Sequence, residues 1–260
     1  MRSPTVSVLL PVHNGEPYVL EALDSVWSQG FTDLELVVVD DASNDETPSI
    51  LDRVSDPRLR RVRLERRTGL PGALNAGLQV CRGSLVARLD ADDRCLAHRI
   101  QRQVDTMEQR PNLAALGASA LVVDRVGRSI GRRDALTGSA VVLNRLRWRN
   151  ALIHPSVMFR RDMVNSLGGY SRVAGRFEDY ELWLRLATVG ELDNLGEPLV
   201  AYRLHPGQAT AARVGEQAPM QAVGEVRRAL ARSRRESVAL AGWRHRIWVA
   251  AQWWGDRGRR

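Results

Sequence analysis

The stretch Leu85-Val86-Ala87-Arg88-Leu89-Asp90-Ala91-Asp92-Asp93 runs from apolar residues into three carboxylates. Its first half reads as the end of a buried strand. Its second half crowds like charges together, and burial sharpens their repulsion. Such a group calls for a cation, and a hard divalent ion such as Mg2+ or Mn2+ prefers oxygen ligands and is readily shared with substrate phosphates. The competing reading is a solvated acidic turn in which Asp93 caps a following helix.

Outward from that stretch the chain alternates between two periodicities. Residues 6–10 are β-branched and apolar, which predicts a buried strand ended by the breakers of Pro11-Val12-His13-Asn14-Gly15. Pro17 suits the first turn of a helix with Val19, Leu20, Leu23, Val26 and Trp27 on its face, closed by Gly30. Residues 34–39 form a second strand leading into Asp40-Asp41. Thr47-Pro48 reads as the N-cap and first residue of a helix carrying Ile50, Leu51 and Val54. A short strand at 62–64, a helix over 72–80 and a strand at 85–89 complete the series. This alternation predicts a mostly parallel sheet covered by helices on both faces, with ligands beyond the carboxyl ends of the strands. Three polar groups fall at such ends: residues 11–14, Asp40-Asp41, and residues 90–93. Their shared location favours the metal reading.

Two chemistries are excluded. Gly69, Gly72 and Gly77 miss the dinucleotide glycine spacing, with Pro71 where a glycine belongs. Aspartyl-nucleophile phosphatases place their motif after the first strand and use a lysine. This chain of 260 residues has no lysine, so all 38 of its Lys and Arg positions are arginine, which also rules out a phosphate-loop lysine or a Schiff base. The net charge of +8 points to an anionic partner. Cys81 and Cys95 show no metal-type spacing and fit a reduced, cytoplasmic setting. No signal peptide or bilayer-spanning run is expected.

Taken together, several segments resemble the family-two glycosyltransferases of the GT-A fold. They are Val8-Leu9-Leu10-Pro11-Val12-His13-Asn14-Gly15-Glu16, Ser25-Val26-Trp27-Ser28-Gln29 and residues 38–47 around Asp40-Asp41. Ala73-Leu74-Asn75-Ala76-Gly77, Asp90-Ala91-Asp92-Asp93, His154-Pro155-Ser156-Val157-Met158, Gly168-Gly169-Tyr170, residues 177–183 around Glu178-Asp179, and Tyr202-Arg203-Leu204-His205 follow in order. The resemblance implies an α/β GT-A domain and inverting transfer from a nucleotide-diphosphate sugar, a UDP-sugar favoured, to an acceptor hydroxyl. It implies a glycan or lipid-linked acceptor, in assembly of surface polysaccharide, glycolipid or glycoprotein. Pro11, Val12, His13, Asn14 and Asp41 would then lie against base and ribose, with Arg66 or Arg67 reaching the nucleotide and Asn75 on the donor side. Asp90, Ala91 and Asp92 correspond to the metal and diphosphate motif, and Asp90, Asp92 and Asp93 to ligands of Mn2+ or Mg2+. Asp179 matches the base that takes the acceptor proton, beside Glu178, and the helix start there is expected to favour its ionised form. His154, Arg203 and His205 are acceptor-side or loop candidates. Asn144-Arg145-Leu146-Arg147-Trp148 resembles the motif of processive synthases but precedes Asp179 and lacks the glutamine, so single addition is expected.

The expected division is a GT-A domain over 4–212 and a basic helical extension over 213–260. In the extension, Trp243, Ile247, Ala250 and Trp254 share one helical face, flanked by Arg244, Arg246, Arg257 and Arg259. That stripe either packs on the domain or lies peripherally on the inner face of the cytoplasmic membrane. A catalytically silent sugar-nucleotide-binding module is the main rival function. A nucleic-acid binder is the other, and no nucleic-acid motif supports it.

Overall fold

The computed structural model describes residues 3–207 and 217–257, with side chains as far as Gln252. The expected boundary at 212–213 and Arg259 lie outside the described residues, as do the side chains of Trp254 and Arg257.

Four strands, β1 (Val6–Val12), β2 (Leu34–Asp40), β3 (Leu59–Arg63) and β4 (Leu85–Arg88), pair in parallel in the order β3-β2-β1-β4. Helices α1 (Val19–Trp27), α2 (Thr47–Arg53) and α3 (Gly69–Val80) connect them. Alternate strand residues serve opposite faces. Leu9, Val37, Val39 and Val86 pack with α3, whereas Val8, Leu10, Leu36 and Val38 pack with α1 and α2. The predicted mostly parallel, doubly covered sheet is therefore present.

The sheet extends further than the alternation foretold. Strands β5 (Arg94–Cys95), β6 (Leu113–Val123), β7 (Ser129–Arg133), β8 (Met158–Arg160) and β9 (Glu191–Arg203) continue it as β4-β8-β6-β9-β5, with β7 on β6. Strand β8 is antiparallel to β4 and to β6, and β6 pairs with β9 in a long parallel register. Helices α4 (Arg99–Gln109), α5 (Ser139–Leu146), α6 (Arg161–Ser166) and α7 (Glu178–Val189) complete this half.

Local expectations shift at three points. Pro11 and Val12 belong to β1 rather than to a loop, although a proline in a central strand normally costs a ladder bond. Pairing of β1 with β4 ends at Leu9 and Arg88, so Pro11 turns its missing N–H toward a side with no partner strand. Pro17 precedes α1 instead of starting it. Thr47 does not cap α2, because its Oγ1 accepts from the Gly15 N–H at 2.8 Å, and Asp45 Oδ1 accepts the Thr47 N–H at 2.9 Å instead.

The C-terminal region is two helices, α8 (Gln217–Ser233) and α9 (Val238–Arg257). Met220, Val223, Leu230 and Trp248 are buried in the same core as Leu182, Trp183 and Leu186 of α7. Arg227, 3% exposed, donates to the Tyr180 hydroxyl and the Trp148 carbonyl and lies against the rings of Tyr180 and Trp248. The extension thus packs on the catalytic half. Trp243 and Ile247 of the expected stripe stay exposed, the Trp243 ring meeting Trp148 edge-on at 6.0 Å. Among the described residues no helix is long and apolar enough to cross a membrane.

Candidate active site

The carboxyl end of β4 delivers Asp90, Asp92 and Asp93, whose ligand atoms lie within 4.8 Å of one another. Asp93 does not cap a helix. Its Oδ1 accepts the Arg203 N–H at 2.8 Å, and its Oδ2 is buried without a hydrogen-bond partner. Burial, then the charges of Asp90 and Asp92, pushes the Asp93 carboxyl well above its usual range. Asp90 is pushed up by burial and by Asp92 against the pull of Arg88, although its edge opens to a cleft. Arg88 is fully buried, with Nη2 2.5 Å from Asp90 Oδ1, yet its guanidinium has no well-aligned hydrogen bond. His205 Nε2 is 2.8 Å from Asp92 Oδ2.

Opposite this cluster stands the start of α7. Its first turn is Glu178, Asp179 and Glu181, acids suited to a helix N-terminus. The same cleft, about 770 Å³, is lined by Asp90, Asp92, His154, Glu178 and Asp179. Asn150 Nδ2 donates to Asp179 Oδ2 at 2.6 Å, and the Tyr180 N–H donates to Oδ1 at 2.5 Å. Burial nevertheless outweighs these bonds and pushes Asp179 up to about 6, contrary to the expected dominance of the helix start. Glu178 is pushed up to about 8 by burial and by Asp179. Both carboxyls are thus raised, Glu178 the more, so the pair gives up its protons less readily than free carboxyls do. His154 is driven well below its usual value by burial and then by Arg88. Its 3.9 Å approach to Glu178 is therefore not an ion pair, and its Nε2 meets the Tyr170 hydroxyl at 3.1 Å.

Several residues singled out from the sequence have structural tasks. Asp41 accepts from the Thr68 N–H and hydroxyl and the Gly69 N–H at 2.7–2.9 Å, so its carboxylate caps α3. Asn75 clamps the backbone of Tyr170, donating to its carbonyl and accepting its N–H, both at 2.8 Å. Pro11 and Val12 are buried in β1. His13 Nδ1 meets the Asp41 carbonyl, and Asn14 accepts the Asn44 N–H, tying the β1 and β2 ends together. Arg203 is buried, 2% exposed. It holds the acidic turn from behind through the Asp92 carbonyl at 2.8 Å and Glu21 at 2.5 Å. Arg66 and Arg67 are exposed in the loop before α3. Ala91 is half-buried beside Gly15.

The Asn75 clamp yields a test. Gly169 has φ +74°, and a Cβ there would meet Asn75 Oδ1 at 2.5 Å. Gly169→Ala combines left-handed strain with that clash, so a loss of about 1–3 kcal/mol is expected in urea melts. An unchanged midpoint would mean that the clamp yields freely.

Sequence reading missed Arg88, Asn150 and Arg227. Arg88 lay in plain view inside the strand motif, where an arginine in an apolar run is itself a signal. Asn150 and Arg227 carried no local signal, because their partners are distant in the chain.

A mostly parallel sheet with an acidic cluster at one strand end, faced across one cleft by the Asp179 carboxylate, has the layout of a group-transfer site. The family model "Glycosyl transferase family 2" matches residues 7–168, and the chain belongs to that family. It is 36% identical over 202 residues to the amylovoran biosynthesis glycosyltransferase AmsE of Erwinia amylovora, covering 76% of this chain and 75% of the relative. It is 31% identical over 211 residues to the O-antigen biosynthesis glycosyltransferase WbnJ of Escherichia coli, covering 77% and 80%. Its fold matches S. aureus TarS residues 1–349, solved with UDP-GlcNAc, at a TM-score of 0.69 and 21% identity, covering 88% of this chain and 66% of that one. A mannosyltransferase of Pyrobaculum calidifontis, solved with GDP-Man and Mn2+, matches at 0.58 and 22% identity, covering 96% and 75%.

Proposed function

We propose that this enzyme transfers a sugar, with inversion, from a nucleotide-diphosphate donor to an acceptor hydroxyl, adding one residue at a time during surface-glycan assembly. The observation that carries it is the placing of Asp90 and Asp92 across one cleft from Asp179. Asp179, fixed by Asn150, accepts the proton of the acceptor hydroxyl as it attacks the sugar carbon. A single displacement inverts that carbon and needs no covalent intermediate.

The acidic cluster fits a divalent cation on chemical grounds. Its donors are hard oxygens, Asp93 Oδ2 is buried and unpaired, and burial and then the neighbouring aspartate charges raise Asp90 and Asp93. Asp90, Asp92 and Asp93 would hold Mn2+ or Mg2+, with His205 Nε2 at 2.8 Å from Asp92 Oδ2 orienting that carboxylate. When bound, the ion offsets charge on the departing diphosphate. His13, Asn14 and the exposed Arg66 or Arg67 are the chain's candidates for the nucleotide, and UDP is the favoured carrier.

The test is calorimetry of UDP- and GDP-sugars with Mn2+ and with chelator. Asp92→Ala should weaken donor binding at least tenfold when metal is present. Equal donor affinity of the wild type with and without chelator would remove the metal role, and no binding of any nucleotide sugar would remove the donor class.

We place the domain division at 212–213, with peripheral membrane contact through the exposed Leu240, Trp243 and Ile247 face of α9. Tryptophan beside arginine suits a bilayer interface. Trp243→Ala with Ile247→Ser should abolish co-sedimentation with anionic vesicles at low salt. Failure of the wild type to co-sediment would overturn this contact.

A further inference from the structure

The Asp179 carboxylate is held at both oxygens by groups of different origin. The Tyr180 N–H donates to Oδ1 from within the first turn of α7, so that bond comes with the helix. Asn150 Nδ2 donates to Oδ2 from another part of the chain. That second bond depends on where residues 147–152 lie. They are irregular and follow the end of α5 at Leu146. The Trp148 and Arg149 N–H groups donate to the Arg145 carbonyl, which shapes this segment locally but does not set its distance from α7.

The ties that do set it converge on Arg227 of α8. Its Nε and Nη2 donate to the Tyr180 hydroxyl at 3.1 and 2.6 Å, and Nη2 donates to the Trp148 carbonyl at 2.7 Å. Tyr180 in turn donates its hydroxyl proton to the Leu146 carbonyl at 2.6 Å. A guanidinium presents its donors in one rigid plane and so joins several acceptors at once. Here it joins the residue after Asp179 to the residue two before Asn150. Trp248 and Tyr180 place their rings 4.9 and 5.3 Å from the guanidinium carbon, and the side chain is buried. Glu236, between α8 and α9, grips the same segment by pairing with Arg147. Its far end is held separately, where Asn194 donates to the Ala151 carbonyl at 3.1 Å. Arg227 is not among the residues lining the cleft, so any effect it has on the reaction passes through others.

We infer that Arg227 is a positioning residue for the base: by joining Tyr180 to Trp148 it seats the loop so that Asn150 reaches Asp179 Oδ2 and fixes the carboxylate in the cleft. This rests on the transfer reading above for the role of Asp179 and deepens it. Arg227 lies beyond residues 7–168, so a C-terminal helix outside the family-matched region reaches the chemistry. Displacement of a reacting group by an ångström, even from a change remote from the chemistry, costs about a hundredfold in rate.

The experiment uses the full chain, free of metal and donor, with aspartate labelled with carbon-13 at the carboxyl. Asp179→Asn assigns the Asp179 resonance, and its titration is followed by NMR. A hydrogen bond to a carboxylate favours the ionised form, so losing the Asn150 donor raises the midpoint. Asn150→Ala should therefore raise proton affinity at Asp179 at least about threefold, and Arg227→Met should do the same. Arg227→Lys, which keeps a cation and a donor, should restore most of the shift. Glu178, Arg88 and Tyr170 also face Asp179, and Arg227 bonds to none of them, so their charges are common to all variants. In the Asn150→Ala background Arg227→Met should add nothing, because it acts through Asn150. Melts confirm that each variant is folded at the temperature used. UDP-GlcNAc and GDP-Man are the donor probes. With Mn2+, Arg227→Met should bind the accepted donor within about twofold of the wild type. Its hydrolysis, in which water bonds to the sugar carbon as the diphosphate leaves and Asp179 takes the proton, should fall about tenfold or more. An unmoved Asp179 midpoint in Arg227→Met, or a further rise in the Asn150→Ala background, would overturn the assignment. Binding of neither donor by the wild type would sink the transfer reading instead, while the titration still judges Arg227.

Discussion

Asp179→Asn should lower transfer by about 10²- to 10⁴-fold, the usual worth of a positioned general base, while donor affinity changes little. Asparagine keeps the shape of the side chain, and its one carbonyl oxygen can still accept the Tyr180 N–H, while Asn150 must turn its amide to meet the new NH2 in place of the oxygen it donates to now. What it loses is the ability to take a proton. The pH dependence carries the same assignment. Burial raises Asp179 to about 6, so the base is active above that pH and is lost as protons bind below it. The acidic limb of the rate profile should therefore fall near pH 6 and vanish in the variant. Glu178 is raised further than Asp179, by burial and then by the Asp179 charge, so Asp179 is the favoured base of the pair. Glu178→Gln should accordingly cost far less than Asp179→Asn. The measurement is paired, with donor affinity from calorimetry and initial rates across pH. Near-normal transfer by Asp179→Asn would take it out of the mechanism, and joint loss of donor binding would mark the helix start as structural.

Deleting residues 213–260 should leave a chain that does not fold cooperatively. The reason is the shared core of α7, α8 and α9. Met220, Val223, Leu230 and Trp248 are buried in it, at roughly 1.5–3 kcal/mol each. Their sum is comparable to the whole stability of a typical domain, about 5–15 kcal/mol. Deletion also strips Arg227 from the Tyr180 hydroxyl, next to the base. A milder variant separates the two effects. Arg227→Met keeps the bulk between the rings of Tyr180 and Trp248 and removes the donors to Tyr180 and Trp148, so a loss of about 1–3 kcal/mol is expected. Urea melts followed by tryptophan fluorescence check both. A truncated chain melting like the wild type would show the helix pair to be an appendage after all.

Much of the architecture was legible because its signals are local. Apolar β-branched runs separated by amphipathic helices announced β1 to β4, and acidic residues at strand ends announced where a ligand would go. The antiparallel half was not legible in the same way. Strand β8 has three residues and β5 two, too short to show a period, and they exist as strands only because β4, β6 and β9 offer edges to pair with. The candidate site divides similarly. The three aspartates stood together in the chain, whereas the link from Asp92 to His205 spans 113 residues. Asp41 and Asn75 were expected on the donor side from the family resemblance, which says nothing of their own partners in the fold. Here the start of α3 and the Tyr170 backbone take up their hydrogen-bonding groups.

By itself the sequence determined the α/β alternation, the acidic turn after β4 and the acidic start of α7, since each depends on neighbours within a few residues. Only the tertiary structure decided that the C-terminal helices complete the core, that Arg203 stands behind the acidic turn, and that burial sets Asp179 near 6 and Glu178 near 8. The physical reason is that burial and charge pairing are set by groups folded in from distant parts of the chain. No local pattern of residues records the density of protein around a carboxylate.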